Sequence, residues 1–245
     1  MRGSTWAHAR RPGVPWYRLV MTRPRALLAV SAALAAAVVY AVMWVGYLQD
    51  CGWLRSVDWS LLTAAHDAAV KHPAWVGFWS GVSFALGPVP LRVLGTVAAV
   101  AALVSRHVRA ALMLLACAPL NGFVTSAAKG LANRPRPTTM LVPVPSTSFP
   151  SGHALEATAA LLALLSLALP MMSRWVGRAA IAVTALGLLL VGIARVALNV
   201  HYPSDVLAGW SLGYVYFLLC YWAFRPAPVA PLRDGGRAPE RSRAG

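Results

Sequence analysis

The sequence predicts an all-α fold, a six-span transmembrane helical bundle with interfacial helices between the first and second spans. Three observations carry that expectation. Of the 245 residues, 58% are hydrophobic and 12% charged, whereas a soluble domain devotes about a quarter of its residues to charge. The apolar residues gather into runs close to the ~20 residues that cross a bilayer as one helix. Most of the arginines sit in the terminal segments and in the short gaps between those runs, the distribution that orients a protein in a membrane.

Residues 1–25 carry six arginines and read as a basic, membrane-apposed cytoplasmic tail. Arg10-Arg11 resembles a twin-arginine signal, but the long apolar run that follows has no small-residue cleavage site after it, so a retained anchor is expected. Residues 26–48 form the first span, with Tyr40, Trp44 and Tyr47 suited to the outer interface. Residues 58–71 read as a weakly amphipathic helix. Residues 74–87 form a short apolar helix that ends at Gly87-Pro88-Val89-Pro90. Both are expected to lie on, or dip into, the outer interface.

The second span is expected over 88–105, with Arg92 snorkelling outward. The third covers 109–129 and ends on Lys129. The fourth runs from His153 to near Pro170, the fifth over 179–198 and the sixth over 205–223. Residues 26–224 thus make one membrane domain. Residues 225–245, rich in Pro, Arg and Gly, read as a second basic tail without a folded core. Six spans put the basic segments 1–25, 106–109, 171–178 and 225–245 on one side, the cytoplasmic one by the positive-inside rule. The loops 130–152 and 199–204 then share the outer face.

A net charge of +15 raises nucleic acid as a partner, but no basic stripe with interleaved aromatics supports it. Cys51, Cys117 and Cys220 match no zinc or redox spacing and read as small apolar fillers. The oligomeric state leaves no signature in the chain.

Three polar clusters interrupt this apolar sequence. Lys129, Arg136 and Arg195 stand at span ends on the non-cytoplasmic face, against the positive-inside bias. Snorkelling explains one such cation. Three imply an anionic partner, and phosphate suits the guanidinium fork. Pro150-Ser151-Gly152-His153 sets a tight turn before the fourth span. There the free N–H groups of a helix start attract an anion, and Ser151 is a candidate cap. His201 and Asp205 are spaced i, i+4, on one helix face. A carboxylate on one ring nitrogen frees the other as nucleophile or base. His153 has no acid at i+4, although Glu156 lies at i+3. That asymmetry makes His201 the candidate nucleophile and His153 the candidate proton donor. The combined chemistry is phosphoryl transfer without a metal or other cofactor.

These residues resemble the type 2 phosphatidic acid phosphatase (PAP2) superfamily, which includes lipid phosphate phosphatases and shares its site with vanadium haloperoxidases. The resemblance rests on Lys129 with Arg136-Pro137, on Pro150-Ser151-Gly152-His153, and on Arg195 with His201 and Asp205. It implies His201 as nucleophile, Asp205 as its orienter and His153 as general acid. It also implies phosphate binding by Lys129, Arg136, Ser151, Gly152 and Arg195, with no metal. Ala194 stands where the family commonly has Ser, and Glu156 where small or apolar residues are usual.

The expected function is a plasma-membrane lipid phosphatase with both termini cytoplasmic and the site at the outer face. Expected substrates are isoprenoid pyrophosphates such as undecaprenyl pyrophosphate, or phosphatidic acid. A lipid phosphotransferase using the same phosphoenzyme, and a non-catalytic membrane protein with a degenerate site, are the alternatives.

Overall fold

The structure, a computed structural model, describes residues 23–226. The two basic tails lie almost wholly outside the described residues. Among the described residues nine α-helices follow one another: α1 (Arg23–Leu48), α2 (Gly52–Lys71), α3 (Trp75–Ala85), α4 (Pro88–Val104), α5 (Val108–Cys117), α6 (Asn121–Ala132), α7 (Gly152–Ala168), α8 (Arg174–Ala197) and α9 (Pro203–Phe224). A 3-10 turn, Leu169–Met171, closes α7. Among the described residues, six stretches are long and apolar enough to cross a membrane. They are Ala26–Leu48, Trp75–Val104, Val108–Ala132, Gly152–Met171, Arg174–Ala197 and Pro203–Phe224. The described residues form a six-span, all-helical membrane bundle.

Two spans are each built from two helices. The second is longer than the sequence suggested, because α3 continues into α4 as one 30-residue apolar stretch. The 17 residues of α4 would rise only about 26 Å by themselves, short of a hydrocarbon core of roughly 30 Å. The joint falls at Gly87, whose backbone is extended. Pro88 then occupies the first position of α4, where its missing N–H costs nothing. The third span breaks at Ala118-Pro119, because Pro119 removes a donor and disfavours α geometry in the residue before it. Asn121 closes that gap by donating from Nδ2 to the Cys117 carbonyl at 2.7 Å. Only α2 remains outside the spans, and it starts at Gly52 rather than near Asp58.

Polarity is arranged for lipid. Large apolar side chains face outward along the spans, among them Leu34, Val38, Val97, Val183 and Leu219. Helices in lipid gain little from burying more oil, so close approach of small residues holds them together. The central contact is between α7 and α9. There, Gly209 and Gly213 lie one turn apart on α9 and press onto the first turns of α7. A Cβ on Gly209 would stand 2.6 Å from the Ser151 carbonyl oxygen, and one on Gly213 would stand 2.5 Å from that of Leu155. At the end away from the polar loops, Cys117 and Cys220 are free and buried in a cluster with Met113, Ala159 and Phe217, acting as small fillers.

Because the nearest obstacle at Gly213 is the Leu155 backbone oxygen, which cannot swing away, with Thr158 Cβ next at 2.8 Å, Gly213→Val will destabilise the bundle. Overpacking of this kind costs about 1–3 kcal/mol. The check is thermal unfolding in detergent, where the variant is expected to melt several degrees below the parent (about 2–4 °C per kcal/mol at this size).

Candidate active site

Each polar cluster is delivered by a helix terminus. α6 stops at Asn133, which takes the left-handed conformation (φ 45°) and caps the helix through its N–H on the Lys129 carbonyl at 2.9 Å. Asparagine tolerates this region better than most residues. The chain then runs as Arg134-Pro135-Arg136-Pro137, where each proline keeps the residue before it extended. α8 ends in a Schellman motif, with Asn199 N–H on the Val196 carbonyl at 2.8 Å and Val200 N–H on the Arg195 carbonyl at 3.2 Å. Asn199 again supplies the left-handed residue (φ 53°). This turn brings His201 back over Arg195. α9 then begins with Tyr202 as its cap and Pro203 at its first position.

His201 and Asp205 are buried, with 1% and 0% of their surfaces exposed. His201 Nδ1 lies 3.3 Å from Asp205 Oδ2, and His201 Nε2 lies 3.2 Å from Arg136 Nη1. A carboxylate only accepts and a guanidinium only donates. The neutral imidazole therefore carries its proton on Nδ1 and leaves the Nε2 lone pair outward. Burial, then the positive charges of Arg195, Arg136 and Lys129, push the His201 pKa well below its ordinary value, which keeps the ring neutral.

Asp205 is spoken for on both oxygens. Oδ1 accepts from Arg134 Nη1 at 2.7 Å. Oδ2 accepts from the Tyr202 N–H at 2.9 Å and from the Ser148 hydroxyl. Arg134 also donates from Nη1 to Ser204 Oγ at 2.8 Å and from Nη2 to Asp58 Oδ2 at 2.9 Å. Asp58, on α2, in turn receives the Ser204 N–H at 2.9 Å and the Ser204 hydroxyl at 2.6 Å. Burial works against the charge of Arg134, but Asp205 and Asp58 outweigh it and raise its pKa above the ordinary value. The sequence reading missed both Arg134 and Asp58. The first arginine of Arg-Pro-Arg-Pro was a detectable sign for one. A lone acid on an amphipathic helix offered none for the other.

The remaining predicted residues surround His201. Arg136 donates from Nε to the Ser146 carbonyl at 2.6 Å and from Nη1 to the Val200 carbonyl. Lys129 Nζ donates to the Thr147 carbonyl. His153 stands within the field of His201 and of the same three cations. Arg195 donates from Nη1 to Ser83 Oγ on α3 at 2.7 Å, while its buried Nε has no protein partner.

Ser151 departs from its expected role as a cap. It occupies the N-cap position of α7 but makes no side-chain capping bond, and its fully buried Oγ has no protein partner. Its N–H donates to the Asp205 carbonyl at 2.9 Å instead. Gly152 leaves room for its neighbours: a Cβ there would stand 2.9 Å from Thr125 and 3.7 Å from the Lys129 side chain. Arg92 does not snorkel. It turns inward and pairs with Glu156 at 2.7 Å, because a carboxylate with 6% exposure inside a membrane bundle demands a cation.

α3 contributes more than an interfacial surface. Besides Ser83, its C-terminal joint places Gly87 against the acid candidate, where a Cβ would stand 3.2 Å from His153 Nε2. Among the described residues, no three His, Cys, Asp or Glu side chains are grouped as a metal would need. The arrangement is three cations, a helix N-terminus and two orphaned donors around one imidazole lone pair, at the end of the bundle that carries the polar loops. It is suited to an anion with several oxygens.

A buried His–Asp pair facing three cations at one end of a membrane helical bundle is the class that fold and geometry define. Residues 110–228 match the family model described as the PAP2 superfamily. A solved transmembrane PAP2-type phosphatidylglycerolphosphate phosphatase from Bacillus subtilis is similar, with a TM-score of 0.64 and 26% identity. That match covers 80% of this chain and 96% of the other. The curated phosphatidylglycerophosphatase B of Bacillus subtilis (strain 168) is 40% identical over 82 residues, 32% of this chain. The matched stretch spans 40% of that relative's length.

The geometry predicts anion binding independently of turnover. Inorganic phosphate titrated calorimetrically into detergent-solubilised protein is expected to bind at least about tenfold more weakly to Arg195→Gln, the loss of one charge-assisted hydrogen bond (about 1.5–3 kcal/mol).

Proposed function

We propose that this chain is an integral-membrane phosphatase that hydrolyses the phosphate ester or pyrophosphate of a lipid through a phosphohistidine intermediate. The observation that carries the reading is the His201 tautomer, with Nδ1–H held by Asp205 and the Nε2 lone pair facing the cations. The phosphoryl oxygens lie against Lys129, Arg136 and Arg195, with the Ser151 hydroxyl and the free N–H groups at the start of α7, including that of Gly152. Arg136 leaves Nε2 for a phosphate oxygen when the anion enters.

The steps balance. Nε2 attacks phosphorus, the N–P bond forms, and the P–O bond to the leaving group breaks. His153 gives its proton to the departing oxygen, and the charge of the bound phosphate favours the imidazolium this requires. Asp205 stabilises the positive charge left on the phosphorylated ring. Water then gives a proton to His153 and attacks phosphorus, and the N–P bond breaks to release phosphate and restore Nε2. The fixed cations supply most of the barrier lowering, since in phosphoryl transfer the protein mainly positions groups and stabilises charge.

The site lies at one end of the bundle, as a lipid with its phosphate at the membrane interface requires. The basic loops between spans lie at the other end, and by the positive-inside rule this supports a site on the outer face of the plasma membrane with both termini cytoplasmic. The substrate class includes phosphatidylglycerophosphate, the lipid in the names of the relatives, together with phosphatidic acid and undecaprenyl pyrophosphate.

The test offers the three lipids in detergent with excess chelator, beside His201→Ala. Phosphate release that survives chelation and is lost in the variant supports the mechanism. A requirement for divalent metal, or release that persists without His201, overturns it. A Cβ at Gly87 would clash with the Ser83 backbone oxygen and stand 3.2 Å from the His153 ring, so Gly87→Ala is expected to shift the α3–α4 joint together with the ring and lower kcat at least about tenfold.

The depressed His201 pKa has a sign. The neutral nucleophile persists as pH falls through 6.5, the ordinary histidine value. After correction for the substrate's own titration, kcat/KM should show no loss with a midpoint there. A pH series from 8 down to about 5 checks it.

A further inference from the structure

Five side chains form one line of alternating donors and acceptors: Asp58, Arg134, Asp205, His201 and Arg136. The proposed reaction uses the last three. The first two touch no reacting atom, yet both are buried, at 1% for Asp58 and 7% for Arg134. Arg134 is held as a flat plate, with its guanidinium carbon 3.9 Å from the centre of the Tyr202 ring and 4.9 Å from that of Tyr47. That plate presents Nη1 to Asp205 and Nη2 to Asp58.

The charges of this group sum simply. Asp205 with Arg134 alone would be a neutral pair, and a neutral pair offers little to a ring that becomes positive on phosphorylation. Asp58 adds a second carboxylate to the same guanidinium, so two negative charges and one positive leave one net negative charge beside His201. Asp58 is fixed for this by two hydrogen bonds from Ser204, immediately before Asp205.

We infer that Asp58 and Arg134 are positioning residues, and that together they leave the His201–Asp205 pair one net negative charge on which formation of the phosphohistidine depends. The inference rests on the phosphatase reading above and deepens it, by making a residue of α2, outside the six spans, a determinant of turnover.

Three variants separate the charge role from packing when kcat per folded enzyme is read beside stability. Asp58→Asn leaves the group neutral. Arg134→Gln leaves two carboxylates without their cation. The combination D58N/R134Q restores the net charge of −1 while removing both halves of the buried ion pair.

In the full-length protein, with the lipid it hydrolyses fastest, each single variant is expected to lose at least about tenfold in kcat with KM within about threefold, and the double variant to return to within about fivefold of wild type. Single-turnover trapping of the phosphoenzyme should show the same order for its rate of formation. A purely structural pair also recovers in the double variant, because no buried charge is left unpaired, but its losses lie in thermal stability and folded yield, and kcat per folded enzyme stays within about threefold of wild type in every variant. That outcome, or an Asp58→Asn variant with wild-type kcat, overturns the inference.

If a single variant is not monodisperse in detergent, kcat per folded enzyme in its monodisperse fraction decides: a loss of at least about tenfold supports the charge role, and a value within about threefold of wild type overturns it. Wild-type protein that shows no His201-dependent release overturns the phosphatase reading and this inference with it. His201-dependent release with additive variants overturns the inference alone.

Discussion

The structure depends on keeping a carboxylate charged where there is no water. Asp205 is fully buried, and an isolated carboxylate in such a place would neutralise itself. It remains an acceptor because Arg134, Ser148, the Tyr202 N–H and His201 all turn toward it. Meeting that requirement fixes much of the architecture around it. Arg134 must leave α6 in an extended segment, Ser148 must come back from the long loop, and Tyr202 must cap α9. The same bonds that solve the solvation problem orient the His201 ring, so the support of the site and its chemistry share their atoms.

The same logic extends outward. Arg134 carries a charge that itself needs company, and Asp58 provides it from α2. Glu156 sits one turn into α7 and takes Arg92 from α4. Acids and bases are rare in the spans and expensive in lipid. Here they pair across helices distant in sequence, and each pair fastens a different part of the bundle to the site. Lys129, Arg136 and Arg195 behave differently. Their strongest protein partners are neutral oxygens of Thr147, Ser146, Val200 and Ser83, so their positive charge remains uncompensated and available to an anion.

Broken helices do the positioning. The second and third spans are interrupted at Gly87 and Ala118-Pro119, and the polar loop between α6 and α7 lies against the end of the bundle. Each interruption frees backbone groups that must find partners in protein rather than lipid. Asn121 serves this purpose at one break. At another, the Ser151 N–H reaches the Asp205 carbonyl. Gly87 shows why the interruption is useful: with no Cβ, the joint between α3 and α4 lets backbone close over the His153 ring.

The six-span count, the grouping of the polar clusters and the membership of His201, Asp205, His153 and the three cations were legible in the sequence. They depend on local signals: apolar runs of bilayer length, charges in the gaps between them, and residues spaced by a helix turn or fixed by a proline. Tertiary structure alone decided which charge met which. Asp58 and Arg134 are 76 residues apart, and no periodicity connects them. Arg92 reads as a snorkelling cation until Glu156 is placed opposite it. Ser151 reads as a cap until its hydroxyl is found buried and unspent. Local pattern reports whether a segment prefers lipid or water. The partner of a buried charge is chosen by which polar atoms come within about 3 Å of it, and that is settled only when the bundle closes.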